Sequence, residues 1–224
     1  MKAMILAAGR GERMRPLTNT TPKSLLQVGG QALIVYHILA LREAGIDEIV
    51  INHAWLGELI TDYLGDGDQY GVQIHYSDES GGALETAGGI VKALPLLGEA
   101  PFVVVNADIF TDYAYQNLPQ RPDGLAHLVM VDNPPQHPDG DFVLSAGRLR
   151  AEAGPRLTFS GIGLYEPKLF ADCQPGPLPL APILRAAMAR NEVSGEHYRG
   201  QWQDIGTPAR LAELNASLGA NDDG

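Results

Sequence analysis

Apolar residues along this chain fall in short runs that alternate with longer amphipathic stretches. Ala3-Met4-Ile5-Leu6-Ala7 is a continuous apolar run that breaks at Gly9. A run too short for a helix and apolar at every position reads as a strand buried on both faces. Ala32–Leu41 is long enough for a helix, and Gly45 stands where a C-terminal cap belongs. Glu48–Asn52 reads as the next strand, and Leu56–Leu64 as a helix stopped by Gly65-Asp66-Gly67-Asp68. Val72–Tyr76 alternates like a strand, Thr86–Leu97 reads as a helix behind a glycine-containing loop, and Phe102–Asn106 is the strongest strand pattern. Strands separated by helix-length segments make βαβ units and a mainly parallel sheet. After residue 111 the pattern loosens to a strand at Leu125–Val131, a proline- and glycine-rich loop at 134–140, and short strands around 142–144 and 162–165. Helices at 182–190 and 208–218 close the chain, and Gly219–Gly224 are expected to fray. The expected architecture is a single α/β domain over residues 1–224, a mostly parallel mixed sheet flanked by helices, with a site at the carboxyl ends of the strands.

Composition narrows the function. The 224 residues are 45% hydrophobic and 19% charged, an ordinary globular balance. The net charge of -11 repels nucleic acid, so no nucleic-acid partner is expected. No apolar run has the length of a membrane span, and the short N-terminal apolar stretch ends at Gly9-Arg10-Gly11-Glu12-Arg13, unlike a signal peptide. Cys173 is the sole cysteine, which excludes an intramolecular disulfide and a cysteine metal cluster. The expected compartment is the cytoplasm, with no membrane partner. Against the acidic background, Lys2, Arg10, Arg13, Arg15 and Lys23 crowd the first 23 residues beside one acid, Glu12. Such a patch suits a small anionic ligand. The six histidines lack the spacing of zinc ligands, and Trp55 and Tyr63 are expected to pack a helix rather than stack a base.

The richest segment runs from Leu6 to Thr18, directly after the first strand. Glycines there let backbone N–H groups approach phosphate oxygens, and an arginine adds a planar two-pronged donor. The spacing is neither that of a dinucleotide-binding turn nor that of a Walker loop. The string Leu6-Ala7-Ala8-Gly9-Arg10-Gly11-Glu12-Arg13, followed by Pro16-Leu17-Thr18 and Pro22-Lys23, resembles the signature of the sugar-1-phosphate nucleotidyltransferases. That resemblance implies a Rossmann-like nucleotidyltransferase fold. It also implies a triphosphate held at Ala8, Gly9, Gly11, Glu12, Arg13 and Lys23, with Arg13 and Lys23 acting in catalysis; Arg10 falls at a variable position.

Asp108 follows the strongest strand in Asn106-Ala107-Asp108, and Asp204 stands in Trp202-Gln203-Asp204-Ile205-Gly206-Thr207-Pro208. Each has a local role open to it as a turn or helix cap. Both match positions where the family holds Mg²⁺, and magnesium needs only a few carboxylates beside phosphate oxygens and water. Leu84, Glu85, Thr86 and Gly88 resemble the family's nucleoside loop, with Asn106 facing the ribose or a phosphate. Gly140 and Asp141 stand where the family binds the sugar. The chain departs from many members in having Arg148–Pro155 in place of a Glu-Lys-Pro arm, so their sugar contacts do not carry over.

Within the family, the short chain and its Gly140-Asp141-Phe142 string are most similar to uridylyltransferases of peptidoglycan recycling. The expected partners are UTP and a sugar 1-phosphate, in a monomer or weak homo-oligomer. Guanylyltransferases acting on mannose or heptose 1-phosphate are the nearest alternative. A non-catalytic nucleotide sensor is the competing class, disfavoured because Arg13, Lys23, Asp108 and Asp204 are all present.

Overall fold

Two strands show why the apolar runs are continuous. In β1 (Lys2–Leu6), Ala3 and Ile5 face one core while Met4 faces another. In β6 (Phe102–Asn106), Val103 and Val105 join the first core, and Phe102 and Val104 the second. A strand covered on both faces has no polar side to alternate with. The structure, a computed structural model, describes residues 1–219, so the fraying expected at 220–224 lies outside it.

Between those strands lie a small hairpin, β2 (Gln27–Val28) and β3 (Gln31–Ala32), then α1 (Leu33–Glu43), β4 (Glu48–His53), α2 (Gly57–Leu64), β5 (Gln73–Asp78) and α3 (Glu85–Leu97). Beyond β6 come β7 (Ile109–Thr111), β8 (Ala126–Val131), β9 (Phe142–Ser145), β10 (Arg148–Arg150) and β11 (Arg156–Tyr165). The chain continues through α4 (Leu180–Ala189), β12 (Val193–His197), β13 (Trp202–Asp204) and α5 (Pro208–Gly219).

A nine-stranded sheet runs in the order β5-β4-β1-β6-β11-β8-β12-β10-β9. The first four strands are parallel, as are β8 and β12. The joins made by β11 to β6 and β8, and by β10 to its neighbours, are antiparallel. The α/β class expected from the sequence is thus met by a mixed sheet whose parallel character is concentrated at the β5–β6 end. α1 packs one face through Ile34, Val35, Ile38 and Leu41. α3 and α4 pack the other through Ala87, Ile90, Ala93, Leu180, Leu184 and Met188. A third cluster, around Met14, Val28, Leu33, Phe110 and Leu211, holds α5 against the hairpin.

Some elements escape the hydrophobic pattern. β12 is Val-Ser-Gly-Glu-His, with one large apolar side chain; it is a strand because β8 and β10 supply its partners. β7, β10 and β13 are three residues each and are defined by pairing. β11 starts at Arg156 rather than near Ile162, and a register break between Phe159 and Ile162 hides the longer strand.

His37 of α1 is buried, with Nε2 2.8 Å from the Ile109 carbonyl and Nδ1 3.1 Å from the Tyr115 hydroxyl. Burial pulls its pKa down to about 4 from the ordinary 6.5. The unfolded chain therefore takes up a proton first as pH falls, and stability is lost from pH 6.5 down toward 4. Between pH 7.5 and 5.5, urea unfolding should show wild type losing about 1 kcal/mol more than His37→Gln. Identical pH dependence in the two proteins would remove His37 from this role.

Candidate active site

The site grows from the carboxyl ends of three parallel strands. Leu6, Asn52 and Asn106 lie in one row, since Leu6 is in register with both asparagines. Chain order reverses direction across β1, with β4 on one side and β6 on the other, and a crevice opens where such a sheet switches. Asn52 is buried and ties two loops together. Its Oδ1 accepts the Ala7 N–H at 2.8 Å, and its Nδ2 donates to Glu79 Oε1 at 2.7 Å. Glu79 is 4% exposed, and burial raises its pKa, with the Asn52 hydrogen bond opposing the rise.

The resulting cleft measures about 590 Å³. Ala8, Gly9, Lys23, Leu84, Glu85, Thr86, Asn106 and Asp108 line it, so segments far apart in sequence converge there. Arg10, Trp55, Glu79 and Ser80 line it too. Trp55 does not pack a helix: its indole N–H donates to the Thr18 carbonyl at 3.1 Å, and the Arg10 guanidinium lies 5.7 Å from its ring centroid. This corrects the expectation for Trp55, which sits 41% exposed in the cleft wall. Tyr63 is likewise exposed.

Other expected residues fall elsewhere. Gly11, Glu12 and Arg13 form the turn beyond the cleft lining; the Gly11 carbonyl accepts the Thr18 hydroxyl at 2.8 Å, and Glu12 and Arg13 are exposed. Gly88 is a packing point inside α3. A Cβ there would lie 2.2 Å from the Gly176 carbonyl oxygen, because the Ala87 and Gly88 N–H groups both reach the Leu178 carbonyl. Gly140 and Asp141 also stand outside the lining of both pockets. Asp141 accepts the Phe159 N–H at 2.8 Å and faces His137 Nε2 at 3.1 Å, which pins the preceding loop to β11.

A smaller pocket of about 210 Å³ adjoins the cleft and shares Asn106 and Asp108 with it. Pro134, Gln136, His137, Phe159, Trp202 and Asp204 complete much of its wall. Asp204 arrives through the β7–β13 ribbon, in which it is in register with Ile109 while the Ile205 N–H bonds the Asp108 carbonyl at 2.8 Å. Lys23 Nζ lies 2.5 Å from Asp108 Oδ2. Asp204 accepts from Gln136 Nε2 at 2.5 Å and pairs with Arg210. Two carboxylates, Asp108 in the turn before β7 where the two pockets join and Asp204 on the neighbouring β13, are a hard-oxygen donor set of the kind Mg²⁺ uses. Groups of three or more His, Cys, Asp or Glu side chains in metal-binding range are absent among the described residues.

Comparison with known proteins gives the family. The profile described as nucleotidyl transferase matches residues 2–142. The chain belongs to that nucleotidyl transferase family. The N-acetylmuramate alpha-1-phosphate uridylyltransferase of Neisseria meningitidis serogroup B is 56% identical over 98% of this chain and 99% of its own. A protein of the same description from Caulobacter vibrioides is 37% identical over 94% of this chain and 97% of its own. A mannose-1-phosphate guanylyltransferase catalytic subunit beta from Dictyostelium discoideum is 28% identical, and the match spans 62% of that protein. A crystal structure from Bacillus anthracis described as a glucose-1-phosphate thymidylyltransferase superposes with a TM-score of 0.84 at 24% identity, over 97% of this chain and 94% of that one. At that identity the superposition speaks for the fold. Among the described residues, no helix of this family member is long and apolar enough to cross a membrane.

Asn52, Glu79, Gln136 and Arg210 escaped the sequence reading, since none stands in a recognisable string. The one available signal was position: Asn52 closes an apolar strand at its carboxyl end, as Asn106 does. Asn52→Ala should strand the Ala7 N–H and the buried Glu79 carboxyl together. It should cost about 1–3 kcal/mol of stability and raise the KM for nucleotide more than it lowers kcat. Thermal melting and steady-state kinetics check both; an unchanged Tm and KM would break the proposed tie.

Proposed function

We propose that this chain couples UTP to N-acetylmuramic acid α-1-phosphate, giving UDP-N-acetylmuramic acid and pyrophosphate, in the cytoplasm and in the recycling of cell-wall sugar. The observation that carries this reading is the 56% identity to a uridylyltransferase of that description along nearly the whole of both chains. The guanylyltransferase alternative is weaker, because those relatives are 28–30% identical and extend well beyond the matched length.

In this reading the triphosphate lies along Ala8 and Gly9 with the nucleoside against Leu84–Thr86, and the sugar phosphate enters through the smaller pocket. An oxygen of the sugar phosphate attacks the α-phosphorus in line. The bond from that phosphorus to the bridging oxygen breaks, and pyrophosphate carries the charge away. A phosphate monoester is mostly ionised at neutral pH, so no general base is needed. Lys23, 12% exposed at the cleft floor, bears on the α-phosphoryl charge, and Arg13 folds in from its exposed turn onto the outer phosphates. Asp108 and Asp204 would hold Mg²⁺, which supplies charge neutralisation on the reacting phosphoryl group. The sugar's lactyl carboxylate needs a donor. Arg148 is engaged with Asp123 outside both pocket linings, whereas Gln136, His137 and Trp202 stand in the smaller pocket's wall; each now bonds within the protein, to Asp204, Asp141 and the Ser160 carbonyl, and would exchange that partner for the carboxylate.

Pyrophosphate release should be measured with four nucleoside triphosphates and a panel of sugar phosphates. UTP with the muramic acid compound should give the highest kcat/KM. Equal reaction of N-acetylglucosamine 1-phosphate would exclude lactyl recognition. Higher kcat/KM for GTP with mannose or heptose 1-phosphate would install the guanylyltransferase reading, and no turnover with any pair would leave the sensor.

Asp108→Ala and Asp204→Ala should each lower kcat by about 10²–10³-fold with the fold intact, and Arg13→Ala should cost far more than Arg10→Ala. Near-normal rates in either aspartate variant, at fixed Mg²⁺, would end the metal assignment. Equal losses in the two arginine variants would mean that the loop acts through bulk charge.

A further inference from the structure

We propose that Arg210 is a built-in counter-ion for Asp204 that makes metal loading depend on nucleotide. The proposal rests on the reading of Asp108 and Asp204 as the metal ligands. Arg210 stands in the first turn of α5, and its side chain is 15% exposed. Its Nη1 pairs with Asp204 Oδ1 and donates to the Asp204 carbonyl at 3.1 Å, while Nε lies 3.4 Å from Thr207 Oγ1. The guanidinium lies over Gly206, where an added Cβ would fall 2.6 Å from Nη2. The short loop between β13 and α5 is shaped around this pair.

Across the junction, Lys23 does the same for Asp108, and its side chain is 12% exposed. Two carboxylates face two cations of the chain, so these four groups sum to no net charge. A divalent cation arriving alone meets no net attraction. To coordinate the paired oxygen of either aspartate it must displace a partly desolvated cation, and at the other oxygen it must sit beside that cation, which is costly. A nucleoside triphosphate changes the balance. Its phosphate oxygens give Lys23 another partner in the cleft and supply ligands to the metal. Metal therefore binds with nucleotide rather than before it. Gln136, which donates to the same Oδ1 of Asp204 at 2.5 Å, holds that carboxylate in place during the exchange.

A role confined to supporting Asp204 predicts that loss of Arg210 weakens metal binding. A counter-ion role predicts the opposite sign. Binding of Mn²⁺ to the full chain should be followed by the EPR signal of the free ion, with and without α,β-methylene UTP. The proteins are wild type, R210K, R210Q and R210M, each checked by circular dichroism. Without nucleotide, wild type and R210K should bind Mn²⁺ weakly, and R210Q and R210M at least about tenfold more tightly. With the analogue, wild type should tighten by more than either neutral variant does. Neutral variants that bind Mn²⁺ no better than wild type without nucleotide would overturn the counter-ion role while leaving the metal site standing. Failure of every protein to bind Mn²⁺ even with the analogue would overturn the metal assignment, and this proposal with it.

Discussion

The pairing of β7 with β13 is the constraint on which the chemistry depends. Asp108 ends the run that follows β6, and Asp204 belongs to the last strand of the chain. The Ile205 N–H on the Asp108 carbonyl closes that separation. Asp108 lines both the large cleft and the smaller pocket, and Asp204 lines the smaller one, so both substrates of the proposed reaction would meet at one pair of carboxylates. The ribbon has three residue pairs, and its apolar side chains, Ile109, Phe110 and Trp202, pack into the cores around it rather than against one another. Its stability is borrowed from its surroundings, where Ile205 and Phe110 enter the core beneath α5. Burial under a helix thus holds a backbone contact that places two charges.

Charge in this molecule is balanced locally. A chain of net charge -11 has to receive a polyanion, and it does so by concentrating cations at one end of the sheet. Lys23 and Arg210 are each committed to a carboxylate, whereas Arg10 lies over an indole and Arg13 is exposed on its turn. Committed cations set the geometry of the acids. Exposed ones retain the freedom to follow a phosphate. Asn52 and Glu79 work differently: a buried amide bridges a backbone N–H and a carboxyl, so the glycine turn after β1 and the loop after β5 are held at a fixed separation. A buried polar tie of this kind is costly to leave half-made and so keeps both loops in place.

Much of this was legible in the sequence. The continuous apolar runs at 3–7 and 102–106 mark strands covered on both faces, and helix-length segments between them dictate a βαβ order. Glycine density, a basic cluster and fixed spacing single out Leu6–Lys23 as a candidate phosphate-binding segment, because local backbone freedom and local charge are properties of neighbouring residues. The expected elements up to β6 lie within a few residues of their observed bounds. Strands such as β12 and β13 were not legible, since their residues have little hydrophobic pattern and become strands by pairing with partners far along the chain.

The same division separates the site residues. Asp108, Asp204 and Lys23 carry motif spacing and were readable one at a time. That Lys23 neutralises Asp108 while Arg210 neutralises Asp204 was not, because an ion pair depends on distance in space. Gly88 and Asp141 show the reverse case. Their sequence contexts point to ligands, and the fold adds what the sequence does not show: close packing against Gly176, a hydrogen bond to β11, and a place outside both pocket linings. The sequence by itself determined which chemistry is available and where the backbone can bend. Tertiary structure alone decided which charges meet, since a contact between residues remote in the chain exists only after the sheet and its covering helices have closed.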